Sequence, residues 1–201
     1  MHRNSPRFFA TIVGFVAAVV LLATGGLLIW ASTYLHNTVQ GQLAAQQIYF
    51  PPASAFAHPK AGTEITPSMI PIVSQYAGEQ LLTGQQAEVW ADDFMAVHIR
   101  NLTGGKTFAQ VSAEALAQPG NAKLAKLAST VFQGEAERSM LLDAFGWWKV
   151  SQIMYISSIA SFCLGGLTLV GSVFGLVAGR KVRRATVLSH PISDEATAKA
   201  A

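Results

Sequence analysis

Two stretches of this chain leave little choice of fold. From Phe8 to Tyr34, FFATIVGFVAAVVLLATGGLLIWASTY, and from Val150 to Gly179, VSQIMYISSIASFCLGGLTLVGSVFGLVAG, no side chain is charged. Each run exceeds the ~20 residues that carry an α-helix across a bilayer core. The expectation is an all-α protein with transmembrane helices over residues 8–35 and 150–179 and a helical domain, residues 36–149, between them. A cleavable signal peptide is the rival reading of the first run, because MHRNSPR is a basic leader. Cleavable hydrophobic regions are only ~7 to 15 residues long, and no A-x-A site follows, so the run reads as an anchor.

Charge supplies an orientation. Arg3 and Arg7 precede the first run, and Arg180, Lys181, Arg183 and Arg184 follow the second. By the positive-inside bias the short N-terminus (1–7) and the basic tail (180–201), expected to be disordered, are cytoplasmic. Residues 36–149 are then extracytoplasmic, in a protein of the plasma membrane. Trp30, Tyr34, Trp147 and Trp148 fall at the outer ends of the two runs, where amphipathic rings favour the membrane interface.

The net charge of +3 divides by compartment. The outer segment has nine acidic and seven basic side chains, whereas the cytoplasmic ends have seven basic and two acidic. The basic excess therefore belongs to orientation and to anionic lipid, and no nucleic-acid partner is implied. The lone cysteine, Cys163, lies within the second run, so the outer segment has neither a disulfide nor a thiolate metal site.

The outer segment is punctuated like a set of helices. HNTVQGQLAAQQIYF continues the first span until Pro51 and Pro52 stop it, and PPASAFAHPKAGTEI reads as loop. Thr66-Pro67 predicts a helix start and Gly78 its end. Thr83 with Gln86 fits a capping box ahead of AEVWADDFMAVHIRNL, where Trp90, Phe94 and Val97, with Ala91, His98 and Leu102 alongside, recur at helical spacing. From Asn121 a further helix runs toward the second span, with Gly134 as a candidate joint.

NLTGGKTFAQVS contains letters of a phosphate-binding loop. A P-loop needs G-x-x-x-x-G-K-[ST] after a strand, and here Arg100 stands where the first glycine belongs and a helix precedes it. Helix punctuation explains the letters: Gly104 in a left-handed C-cap, Gly105 in the turn, and Thr107 with Gln110 in a second capping box. No nucleotide site follows.

The candidate ligand or partner contacts are Trp90, Asp92, Asp93, Phe94 and His98. Glu88 and Asp92 stand four residues apart and could hold a cation, yet two carboxylates make a poor site, and acidic residues are ordinary in the first turns of a helix. His98 has no second histidine at ligand spacing, and packing or capping accounts for it. No nucleophile motif is present, so neither catalytic residues, metal ligands nor a cofactor are assigned. Small residues in the spans, Gly14 and Ala18 in the first and Gly171, Gly175 and Gly179 in the second, suit close helix packing, either between the two spans or in a homo- or hetero-oligomer.

Through LAAQQIYFPP, EQLLTGQQAEVWADDFMAVHI, GGKTFAQVS and VFQGEAERSMLL the chain resembles a family of actinobacterial two-span membrane proteins of unknown function. Some related sequences are labelled aromatic ring-opening dioxygenase. That chemistry requires iron held by His and carboxylate ligands, a set these residues do not supply. The resemblance implies a cell-envelope location. The expectation for function is a non-enzymatic accessory or interaction protein with a protein partner in the membrane or envelope. The alternative is a small-molecule or lipid receptor with an apolar pocket near Trp90, and an enzyme ranks third.

Overall fold

The computed structural model describes residues 6–59 and 65–188. Within them the chain is helical, with no strand: α1 (Pro6–Gln46), α2 (Ala53–Ala57), α3 (Ile70–Val73), α4 (Gly84–Val89), α5 (Ala96–Thr103), α6 (Phe108–Ala117) and α7 (Ala122–Leu188). Two of these helices, α1 and α7, are long and apolar enough to cross a membrane. α7 remains helical past Arg180 to Leu188. Arg3, Lys60 and the tail beyond Leu188 lie outside the described residues, as do the side chains of Phe8, Gly179 and 181–188. The chain forms two compact units, one from residues 1–30 and 154–201, the other from residues 31–153.

In the first unit α1 and α7 run antiparallel along a seam of small side chains. A methyl group added to Gly14 would strike the Ser172 hydroxyl, one on Gly25 would come within 3.1 Å of the Phe162 ring, and one on Gly165 within 3.0 Å of Leu22. Ala18, Ser158 and Ser172 are buried on the same seam. Ala18 and Gly25 are seven residues apart, as are Ser158, Gly165 and Ser172, the repeat that holds one helix face against a neighbour. Ser158 and Ser172 donate to carbonyl oxygens of their own helix, Tyr155 at 2.6 Å and Thr168 at 2.8 Å. Close packing therefore joins these helices, and the buried hydroxyls are satisfied locally.

Two expectations change here. Gly171 has open space around it, because it precedes Ser172 by one residue and is rotated by roughly 100° from the seam. Gly175 sits at the edge, where an added methyl would lie 3.4 Å from the Thr11 hydroxyl.

The second unit is built from the remainder of α1, the short helices and the first part of α7. Ser32 donates to the Ser151 carbonyl at 2.7 Å, and the His36 ring lies 4.0 Å from that of Trp148. Trp148 is only 5% exposed, so it belongs to the core and not to an interfacial ring of aromatics. Trp30, Tyr34 and Trp147 are exposed.

α1 stops at Gln46, sooner than Pro51 would require, where Gln47 takes a left-handed φ of 54°. The chain then extends, and Phe50 donates to Glu79 and Leu81 to Ile48, both at 2.9 Å. This short antiparallel pairing brings Phe50 and Leu81 into the core with Leu43, Met69 and Leu141. The Pro-rich stretch that follows contains α2, whose Phe56 is buried.

Thr66-Pro67 forms a turn and caps no helix. The Thr66 hydroxyl pairs with that of Ser68 at 3.0 Å, leaving Pro71, in the first turn, to set the start of α3. A 3-10 turn over Ser74–Tyr76 then leads to Gly78, whose φ of 75° reverses the chain.

Both capping boxes form. Thr83 and Gln86 start α4, and Thr107 and Gln110 start α6 after Gly104 and Gly105 at φ 64° and 86°. α7 passes through Gly134 unbroken. Here the missing side chain permits close approach, since an added methyl would lie 3.1 Å from Ile99 Cδ1.

Gly84 makes the tightest such approach, with the base of the Trp148 side chain occupying the space of its absent Cβ. Gly84→Ala should destabilise the protein by about 1–3 kcal/mol through overpacking. Gly41→Ala, in open space on α1, should stabilise it by about 0.5–1 kcal/mol, as glycine is costly inside a helix. Denaturant unfolding followed by tryptophan fluorescence compares the two.

Candidate functional site

The proposed contacts lie on an irregular helical segment. α4 leads into a π-helical turn, Trp90–Met95, which leads into α5. Within the turn the Ala96 amide reaches back five residues to the Ala91 carbonyl. Arg138 of α7 donates to the same carbonyl through Nε at 3.2 Å, and its Nη2 meets Asp92 Oδ1 at 2.7 Å. Glu135 lies 3.4 Å from Nη1. A guanidinium inserted at a widened turn is a recognised way for a helix to leave its i→i−4 ladder.

The π turn has a geometric consequence. At regular helical spacing Ala91 and Leu102 would share a face, and Leu102 would enter the core. The extra residue turns everything beyond it by roughly 100°. Thr103 is buried in place of Leu102, which is 52% exposed. Hydrophobic periodicity alone could not show this, because the cause is Arg138, far away in the chain.

The aromatic residues form a packed series. Tyr76 and Phe50 have ring centroids 5.2 Å apart, Phe50 meets Trp90 edge-on at 5.1 Å, Trp90 stacks on Phe94 at 4.3 Å, and Phe94 meets His98 at 4.5 Å. Phe94 is buried, and Trp90 packs against the core. His98 Nδ1 donates to the Phe94 carbonyl at 2.8 Å, while its Nε2 is buried with no partner among the described residues. The buried Trp148 Nε1 is in the same condition.

Trp90, Asp92, Asp93, Phe94 and His98 therefore share one element but not one site. Phe94 is core, Asp92 is paired with Arg138, and His98 bonds to its own helix. Among the described residues no group of three or more His, Cys, Asp or Glu side chains comes together to hold a metal ion. Lys106 of the GGKT stretch pairs with Glu114 at 2.7 Å.

Open space lies one helical turn away. A groove of about 470 Å³ is lined by Leu102, Leu124, Leu127, Asn121, Lys123, Lys126 and Thr130. The sequence offered a cue to it in NAKLAKLA, where two lysines and two leucines share the first turns of a helix, but not to the outward turn of Leu102.

Asp93 has its carboxyl pKa raised, first by burial and then by the neighbouring charge of Asp92. The folded state thus holds the Asp93 proton more tightly than the unfolded chain, and stability falls as pH rises through the window between the unfolded and folded values. Asp93→Asn should melt higher than the parent at pH 7. The difference should vanish as pH falls below the ordinary value of 3.8, as a thermal-melt series across pH would register.

Comparison with protein-family models, curated proteins and solved structures finds no match to this chain.

Proposed function

We propose that the chain is an integral plasma-membrane protein with cytoplasmic termini, and that residues 36–149 form an extracytoplasmic, non-enzymatic interaction module. Its partner is a protein of the membrane or envelope, to which this chain is an accessory subunit. One observation carries the reading. Asp92 and His98 are engaged in holding the fold, while large apolar side chains, Leu116 on α6 and Phe132 and Met140 on α7, stand exposed. Phe132 also touches the Phe108 ring, at 5.5 Å between centroids, yet apolar side chains left this exposed suit a surface that another molecule covers. The lipid bilayer is the second partner: the apolar side chains that α1 and α7 direct outward in the first unit, such as Val16, Leu27, Leu167 and Phe174, are the kind that acyl chains solvate.

Topology is tested with single cysteines in a Cys163→Ser background. In intact cells a membrane-impermeant maleimide should label Gln118→Cys, and it should label Ser193→Cys only after permeabilisation. The reverse pattern would discard the orientation. For the partner, the protein carrying a tag after Ala201 is extracted in mild detergent and its companions are identified by mass spectrometry. One companion at constant stoichiometry, lost on Phe132→Asp, is the expected result. Recovery of the chain alone or with itself would remove the accessory-subunit reading.

A further inference from the structure

Two local irregularities meet at the groove between α5 and the start of α7. The first is Leu102, which the π turn leaves half exposed at the groove wall. The second is electrostatic. α7 begins with no acidic residue in its first turn, while Lys123 stands in that turn and Lys126 follows three residues on. A helix N-terminus has a partial positive charge, so two lysines on its first turns are repelled by the backbone and by one another. Neither lysine has an ion-pair partner among the described residues, and the residues lining the groove include no carboxylate. The backbone gives no relief, since Asn121 Oδ1 already accepts from the Leu124 amide at 3.1 Å. Local rules broken together, with no gain to the fold, mark a place where function is the expected compensation.

We infer that this groove binds a small anionic amphiphile, an alkyl chain ending in a carboxylate or phosphate. The chain lies over Leu102, Leu124 and Leu127, and the head group sits between Lys123 and Lys126. Its volume of about 470 Å³ lies within the ~300–1,000 Å³ of small-molecule sites. The unbalanced positive charge decides the sign of the head group. This inference does not depend on which protein partner the module has, because it uses a different set of residues from Phe132 and Met140.

The test uses the full chain in nanodiscs of zwitterionic lipid. A long-chain carboxylate bearing a diazirine is photo-crosslinked, and the labelled peptides are mapped. Labelling of residues 121–130 is expected, competed by dodecanoate or dodecyl phosphate and not by dodecanol. Lys123→Gln/Lys126→Gln should weaken it on the order of tenfold, as two solvated charge pairs are lost, and Leu127→Asp should also weaken it while retaining the parent's helical circular dichroism. Competition by dodecanoate alone identifies a free fatty acid as the source, and competition by dodecyl phosphate alone a phosphate-headed lipid. Labelling that dodecanol competes equally, that survives the double substitution, or that falls only within the apolar spans overturns the inference. Protection of 121–130 by a bound protein or a second copy, with none from either anion, overturns it as well.

Discussion

Helix backbones approach most closely where one of them has almost no side chain, and each unit of this protein has such contacts. In the first, Gly14, Ala18, Gly25 and Gly165 allow α1 and α7 to meet along a seam of small residues. In the second, Gly84 makes room for Trp148, and Gly134 for Ile99. The driving forces differ. Burial of Trp148 and Phe50 removes apolar area from water, whereas α1 and α7, in the bilayer setting proposed for them, would gain from close contact and not from escaping solvent. The same small residues serve both situations because both require backbones to approach.

The π turn at Trp90–Met95 shows how one local departure propagates. Arg138 takes the Ala91 carbonyl and the Asp92 carboxylate together. It thereby joins α7 to the middle of the α4–α5 segment with a partly exposed guanidinium, whose positive charge the neighbouring carboxylates favour. The turn carries Thr103 inward and Leu102 outward. A pairing that belongs to stability thus creates the apolar wall of a groove elsewhere. Asp93, held between burial and Asp92, bears an electrostatic cost of the same arrangement.

The functional reading follows from what the side chains are already doing. Trp90 and Phe94 pack with Phe50, and His98 bonds to its own helix, so the stripe that looked like a pocket lining is mostly core. The exposed residues on which the proposals rest lie elsewhere: Leu116, Phe132 and Met140 on α6 and α7, and the groove beside the first turns of α7. The contrast between those places, apolar on one and apolar with positive charge on the other, is the basis for proposing a protein partner for the first and an anionic amphiphile for the second.

The features that were legible in the sequence are those decided within a few residues. Apolar runs set the two long helices; Thr83 with Gln86 and Thr107 with Gln110 set two helix starts; Gly104 and Gly105 set a reversal. Each depends on hydropathy or on hydrogen bonds that span one turn of chain. What only the tertiary structure decided involves a partner distant in sequence: the π turn that Arg138 stabilises, the inward Trp148, the unbroken helix at Gly134, the early end of α1 where residues 48–50 pair with 79–81. A helical pattern states which residues share a face; it does not state which neighbour that face will meet, nor when a side chain from another helix will shift its register by one residue.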